Sequence, residues 1–213
     1  MKLWQEKNIK RNKIIDQFTV GKDREYDTIL AKYDCEASIA HSKMLAEVNI
    51  ISSNESQKIN KVLNEIIIDI EEGKFIIEDD FEDMHSKIEF ILIKKLGDLG
   101  KKIHTARSRN DQVLVSIQLF VKEELKLIKK EVSNLFNKLI KLSKKHKSSI
   151  IPGYTHMQLA MPSSFGLWFS AYAETLIDDI ISINNALYIV DQNPLGSAAG
   201  YGTSFPIDRK STT

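Results

Sequence analysis

Apolar positions recur every three or four residues along most of this chain, the period of a helix with one buried face. After Phe18 and Gly21, the positions Leu30, Tyr33, Ala37, Ala40, Leu45 and Val48 mark a first helical face. A second lies in SSNESQKINKVLNEIIIDIEEGK, where Ile59, Leu63, Ile66 and Ile70 form the stripe. Ser52 with Glu55 three residues on predicts a capping box at its start, and Gly73 a stop at its end. A third helix is expected to begin near Asp79 and Asp80, whose charges suit a helix N-terminus, and to end at Gly97.

The next periodic segment is much longer. It runs from Val113 through Ile117, Val121, Leu125, Ile128, Val132, Leu135 and Leu139 to Leu142, which predicts a rod on the order of 45 Å. The connection SSIIPGYTHMQ leads to a second rod that Pro162 is expected to open, with Phe165, Phe169, Tyr172, Leu176, Ile180, Ile183 and Leu187 inward. Rods joined so briefly should pack antiparallel. Extended backbone is expected only in short pieces near 75–77 and 150–154. The pattern therefore predicts an all-α protein: a small N-terminal helical domain, residues 1–105, and the start of a long-helix bundle, residues 106–213. Two rods cannot enclose their own apolar faces. Other copies of the chain, and further residues after Thr213, are expected to complete the core.

Composition narrows the function classes. Of 213 residues, 42% are hydrophobic and 28% charged, a globular balance. Thirty basic against twenty-nine acidic residues give a net charge of +1, so neither nucleic acid nor a membrane surface is the expected partner. Cys35 is the single cysteine, which forbids an intrachain disulfide and points to a reducing compartment. MKLWQEKNIKRNKII has no apolar signal-peptide core and no stretch approaches a membrane span. A cytoplasmic location is expected.

Three polar clusters stand at the ends of the rods: HTARSRNDQ (104–112), GYTHMQLAMP (153–162) and PLGSAAGYGTSFPIDR (194–209). Singly, each has a bland explanation. Arg107 and Arg109 could be surface ion-pair partners, and His156 could cap a turn. His85 and Glu89 have the spacing of a helix-face pair. Gly196, Gly200 and Gly202 match neither phosphate-binding fingerprint, and His41, His104 and His146 lack metal-ligand spacing. Antiparallel rods place the first and third clusters toward one end and the second toward the other. A single site built from all three therefore needs several subunits.

Together, FTVGKDREYD (18–27), HTARSRNDQ, PGYTHMQ (152–158) and PLGSAAGYGTSFPIDR resemble argininosuccinate lyase, in the fumarase/aspartase superfamily, from about Trp4 to Thr213. The resemblance implies an all-helical cytoplasmic homotetramer whose central bundle draws long helices from four subunits and whose active sites are shared between subunits. It implies cleavage of L-argininosuccinate to L-arginine and fumarate, a step of arginine biosynthesis and of the urea cycle, with neither metal nor organic cofactor. By resemblance Ser38, Asn110 and Thr155 contact substrate, with Arg107, Ser108 and Gln158 beside them, and Arg109 is a structural neighbour. His156 matches the catalytic histidine, a role that suits a group exchanging protons near neutrality, and His85 in EDMH matches a position near the site. Family members continue for about as long again, through a loop that holds a catalytic serine not found here. The isolated chain is thus expected to have little activity. Two alternatives share these motifs: a sister fumarate-releasing lyase of the adenylosuccinate lyase or fumarase type, and a non-catalytic relative of the crystallin kind.

Overall fold

A computed structural model describes residues 13–198, 200–202 and 204–212. The first twelve residues, including most of the stretch read for a signal peptide, and Ala199 and Thr203 of the third cluster lie outside the described residues. Seven helices and one hairpin make up the described chain. They are α1 (Lys13–Val20), α2 (Asp23–Glu47), α3 (Ser53–Glu71), α4 (Met84–Leu96), α5 (Asp98–Lys101), a 3-10 turn (Lys102–His104), α6 (Arg109–Lys145), β1 (Ile150–Thr155), β2 (Gln158–Ser164) and α7 (Phe165–Val190). The expected helical architecture is present; the extended piece expected near 150–154 is β1, its partner β2 was not expected, and residues 75–77 form no strand.

Two compact units emerge, residues 13–120 with 192–212, and residues 121–191. The cut between them falls inside α6, after Phe120. Local packing accounts for it: Val115, in the second turn of α6, is buried with Ala37 of α2 and Leu195.

In the first unit, α2, α3 and α4 close around Ala31, Cys35, Leu45, Ile59, Leu63, Ile66, Met84, Ile88 and Leu92. Ser52 caps α3 reciprocally with Glu55, as the sequence predicts. The start of α4 differs from expectation. Asp83 is its N-cap, accepting from the Ser86 amide at 2.7 Å, whereas Asp79 and Asp80 lie in the preceding turn, where Asp79 pairs with Arg24 at 3.2 Å. Gly97 ends α4 at φ 62°, a conformation that costs glycine least.

In the second unit, α6 and α7 run antiparallel. Ser143 Oγ donates to the Gly166 carbonyl at 2.7 Å, Lys129 Nζ to Asn184 Oδ1 at 2.7 Å, and Lys122 Nζ to Asp191 Oδ1 at 2.5 Å. The 37 residues of α6 span roughly 55 Å. Pro162 does not open α7: it sits in β2, paired with Pro152, and Ser164 caps the helix by accepting from the Leu167 amide. Along α7 only Gly166 and Ala173 are buried, and the expected inward residues Phe165 and Tyr172 are 42% and 53% exposed.

Candidate active site

The first cluster is held by α2 from one side. After the 3-10 turn, Ala106 takes φ 56° and bends the chain so that Thr105 and Arg107 both face α2. His41 Nε2 lies 2.9 Å from the Thr105 carbonyl; a carbonyl only accepts, so the imidazole carries its proton on Nε2. Burial, with Arg107 nearby, pulls the His41 pKa down to about 3, and the ring is neutral. One turn earlier on α2, Ser38 Oγ accepts from Arg107 Nη1 at 2.7 Å. Another turn back stands Asp34, fully enclosed, with its Oδ1 3.0 Å from His85 Nδ1. The approach is close but off line for a hydrogen bond.

Three charges thus share one interior. Burial opposes the Asp34 carboxylate, yet His85 and Arg107 hold it below the usual carboxylate range. Burial likewise opposes the His85 imidazolium, and Asp34, Asp83 and Asp27 lift it above its ordinary value. Arg109 is more open than Arg107 and pairs with Asp83, the cap of α4. A cavity of about 10 Å³, the room of one water molecule, is walled by Asp34, His85, His104, Arg107, Arg109 and Gln112.

Asp111 joins the first cluster to the third. Its Oδ1 accepts from the Ser108 amide at 2.7 Å and its Oδ2 from the Ala198 amide at 3.2 Å. The third cluster folds back on itself: Arg209 Nη2 donates to the Tyr201 carbonyl at 2.7 Å, and a Cβ on Gly202 would meet the Gly196 carbonyl oxygen at 2.2 Å. That close approach requires glycine.

The second cluster is the hairpin of the other unit. Thr155 and Gln158 pair across its tip, and His156 and Met157 fill the two turn positions at φ 49° and 60°. Positive φ at both positions is the geometry that normally selects Asn-Gly. A bulky pair there carries strain of the kind that gathers at functional sites. Thr155, His156 and Gln158 are all exposed.

The residues expected at the site therefore divide. Ser38, Arg107, Ser108, Asn110 and His85 share the first unit; Thr155, His156 and Gln158 belong to the hairpin. Ser38 and Arg107 are 1% and 8% exposed and face each other, Ser108 is half-buried and Asn110 open. His85 pairs with Asp34 and not with Glu89, so the helix-face reading gives way to a buried charge pair. Sequence reasoning passed over Asp34, Asp83 and Asp111, and weighed His41 only as a metal ligand. Of these, Asp34 had a usable signal, because Asp34, Ser38 and His41 share one face of α2 at intervals of four and three.

No described helix is long and apolar enough to cross a membrane, and among the described residues no three His, Cys, Asp or Glu side chains could hold a metal ion.

Residues 5–213 match the family described as lyase. The chain belongs to this family. It is 53% identical to an argininosuccinate lyase of Phocaeicola vulgatus, covering 100% of this chain and 47% of the relative. It is 44% identical to an argininosuccinate lyase of Thermotoga neapolitana, covering 99% and 53%. The chain thus spans about half the length of these curated relatives. Among solved structures it is similar to an EDDS lyase variant with bound fumarate, with TM-score 0.77, 23% identity, and coverage of 92% of this chain and 39% of that one. It is also similar to a class II fumarase from Schistosoma mansoni, with TM-score 0.71, 18% identity, and coverage of 92% and 46%. These likenesses show the fold alone, a helical architecture shared with those enzymes.

Proposed function

We propose that this chain supplies the substrate-gripping part of an argininosuccinate lyase acting in arginine biosynthesis, in a cytoplasmic homotetramer. The observation that carries the reading is the joining of HTARSRND to the PLGSAAG loop through Asp111, in a chain 53% identical to a named argininosuccinate lyase. The substrate bears three carboxylates. Ser108 and Asn110 at the start of α6, and Thr155 and Gln158 at the hairpin tip, are the neutral donors that hold them, with Ser38 and Arg107 as the inner wall. The hairpin donors and the α6 donors that meet on one substrate come from different subunits.

In the reaction a base takes the proton from the carbon next to a carboxylate. The resulting negative charge spreads into that carboxylate, where hydrogen-bond donors stabilise it. The carbon–nitrogen bond then breaks with its electron pair going to the guanidino nitrogen, which takes up a proton; fumarate and arginine leave. His156, exposed at the strained tip, has the proton-carrying role, acting on the substrate or through a partner group.

Ultraviolet detection of fumarate tests the reading, with argininosuccinate, adenylosuccinate and malate offered in turn to the protein that carries this chain. Release from argininosuccinate alone is expected. His156→Asn, a residue that tolerates positive φ, is expected to cut turnover on the order of a hundredfold or more with little change in unfolding temperature. Release from adenylosuccinate or malate instead assigns the chain to a sister lyase.

A further inference from the structure

We propose that Asp34 is a positioning residue, whose buried carboxylate balances the charges of His85, which it faces, and of Arg107, which the neighbouring Ser38 holds, and so sets where Ser108, Arg109 and Asn110 stand. The role deepens the lyase reading, and depends on it only in taking residues 108–110 as the edge that meets substrate.

The argument starts from cost. Asp34 and Arg107 are 1% and 8% exposed and His85 4%. Charges taken this far from water stabilise a fold poorly, because desolvation consumes most of their attraction, and apolar residues of similar size would do as well. What apolar residues cannot do is balance charges brought in from other segments. Asp34 lies on α2, His85 in the first turn of α4, and Arg107 in the loop before α6. The carboxylate approaches His85 Nδ1 to 3.0 Å, and Ser38, one turn along the same helical face, receives Arg107 Nη1 at 2.7 Å.

The surroundings leave Asp34 as the deepest counter-ion. Asp83 is engaged by Arg109 and by the cap of α4, and Asp27 accepts from the Met84 amide at 2.9 Å. His104 and Glu89 border the same small cavity. Arg107 Nε, Arg109 Nε and both ring nitrogens of His85 are buried there without a hydrogen-bond partner. The further acceptor buried beside them, the neutral Gln112 Oε1, carries no charge to replace that of Asp34 were it lost. Repulsion between Arg107 and His85 would then act on the loop, the one segment of the three that is not a helix. Asn110 is three residues from Arg107.

The experiment uses the 213-residue chain and nuclear magnetic resonance. In the unaltered protein at about pH 6, an ordinary imidazole value or slightly below, the His85 ring is expected to show both nitrogens protonated. In Asp34→Asn, which keeps the size and removes the charge, that signature is lost. The amides of Ser108, Arg109 and Asn110 then shift and exchange with solvent about tenfold faster or more, while those of α3 and of the 150–164 hairpin hold. A neutral His85 ring in the unaltered protein overturns the proposal, and that reading stands even if Asp34→Asn does not fold. Amide changes spread evenly over every helix also overturn it, since a merely structural carboxylate gives that result. The fumarate assay separates the two ideas: argininosuccinate turnover with an unmoved 108–110 segment sinks the positioning role alone. No turnover by the unaltered protein that carries this chain, with the expected amide changes in Asp34→Asn, sinks the lyase reading alone.

Discussion

His41 and His85 lie in the same interior and answer pH in opposite directions. The folded value of His41 is held down to about 3 by burial and by Arg107, so between that value and the ordinary 6.5 the unfolded chain binds the extra proton. Stability from this group is therefore complete above about 6.5 and is lost as pH falls, by up to about 1.4 kcal/mol for each pH unit. The folded value of His85 is lifted above ordinary by Asp34, Asp83 and Asp27 against the opposing effect of burial. Its contribution is complete below about 6.5 and is lost as pH rises through the raised value. Asp34, held low by His85 and Arg107 against its own burial, adds a loss only at more acid pH. Stability is expected to peak near about pH 6.5. His41→Gln, which keeps a donor for the Thr105 carbonyl, should flatten the limb between about pH 4 and 6.5 and leave the alkaline limb in place. Urea midpoints measured across that range check both limbs; an unchanged acid limb tells against a neutral, buried His41. None of this was legible in the residues. A histidine reads the same whether its neighbour is a carbonyl or a carboxylate, and the neighbours here are sixty-four residues away for His41 and on another helix for His85.

Elements were legible wherever one signal dominated and obscured wherever two conflicted. The capping box at Ser52 and the long rods carried consistent patterns. The hairpin did not. IIPGYT and QLAMPSS each hold a proline, Pro152 and Pro162, which removes a ladder donor and normally argues against a strand; in the structure the two prolines face each other across the sheet. Its turn also lacks the usual glycine, because His156 and Met157 occupy both left-handed positions. The first turn of α4 was misplaced for a related reason: three acidic residues, Asp79, Asp80 and Asp83, all suit a helix start, and only packing selects the cap. Gly100 shows the reverse case, a residue whose purpose is invisible until elements pack. It lies in α5, and a Cβ there would come within 2.5 Å of the Leu92 backbone carbon and 2.6 Å of the Ile93 nitrogen. The obstruction is main chain and cannot swing aside. Gly100→Ala is expected to cost roughly 1–3 kcal/mol, read as a lower urea midpoint with an unchanged slope. Lys101→Ala, at an exposed position of the same short helix, should cost much less.

For the whole molecule, the decisive quantity is the apolar surface that one copy leaves in water. Along α7, Leu167, Trp168, Tyr172, Ile177, Ile181, Tyr188 and Ile189 are each 47% exposed or more. Ile177, Ile181 and Tyr188 recur at intervals of four and seven, a single helical face. Isolated exposed apolar residues are ordinary, but a continuous stripe on a long helix marks an interaction surface. Charge does not oppose contact between copies, since the chain carries only +1. In the proposed tetramer, helices of neighbouring copies would cover such a face, which is what two rods unable to bury their own stripes require. Fully burying an isoleucine is worth about 1.5–3 kcal/mol. Replacing both Ile177 and Ile181 by Glu should therefore weaken self-association on the order of a hundredfold or more, while leaving helix content unchanged. Sedimentation equilibrium over a range of concentrations reads this directly. The unaltered chain is expected to associate and the double variant to remain monomeric over the same range. An unaltered chain that stays monomeric throughout means that α7 does not drive assembly, and a site shared between subunits would then need a different contact to bring its parts together.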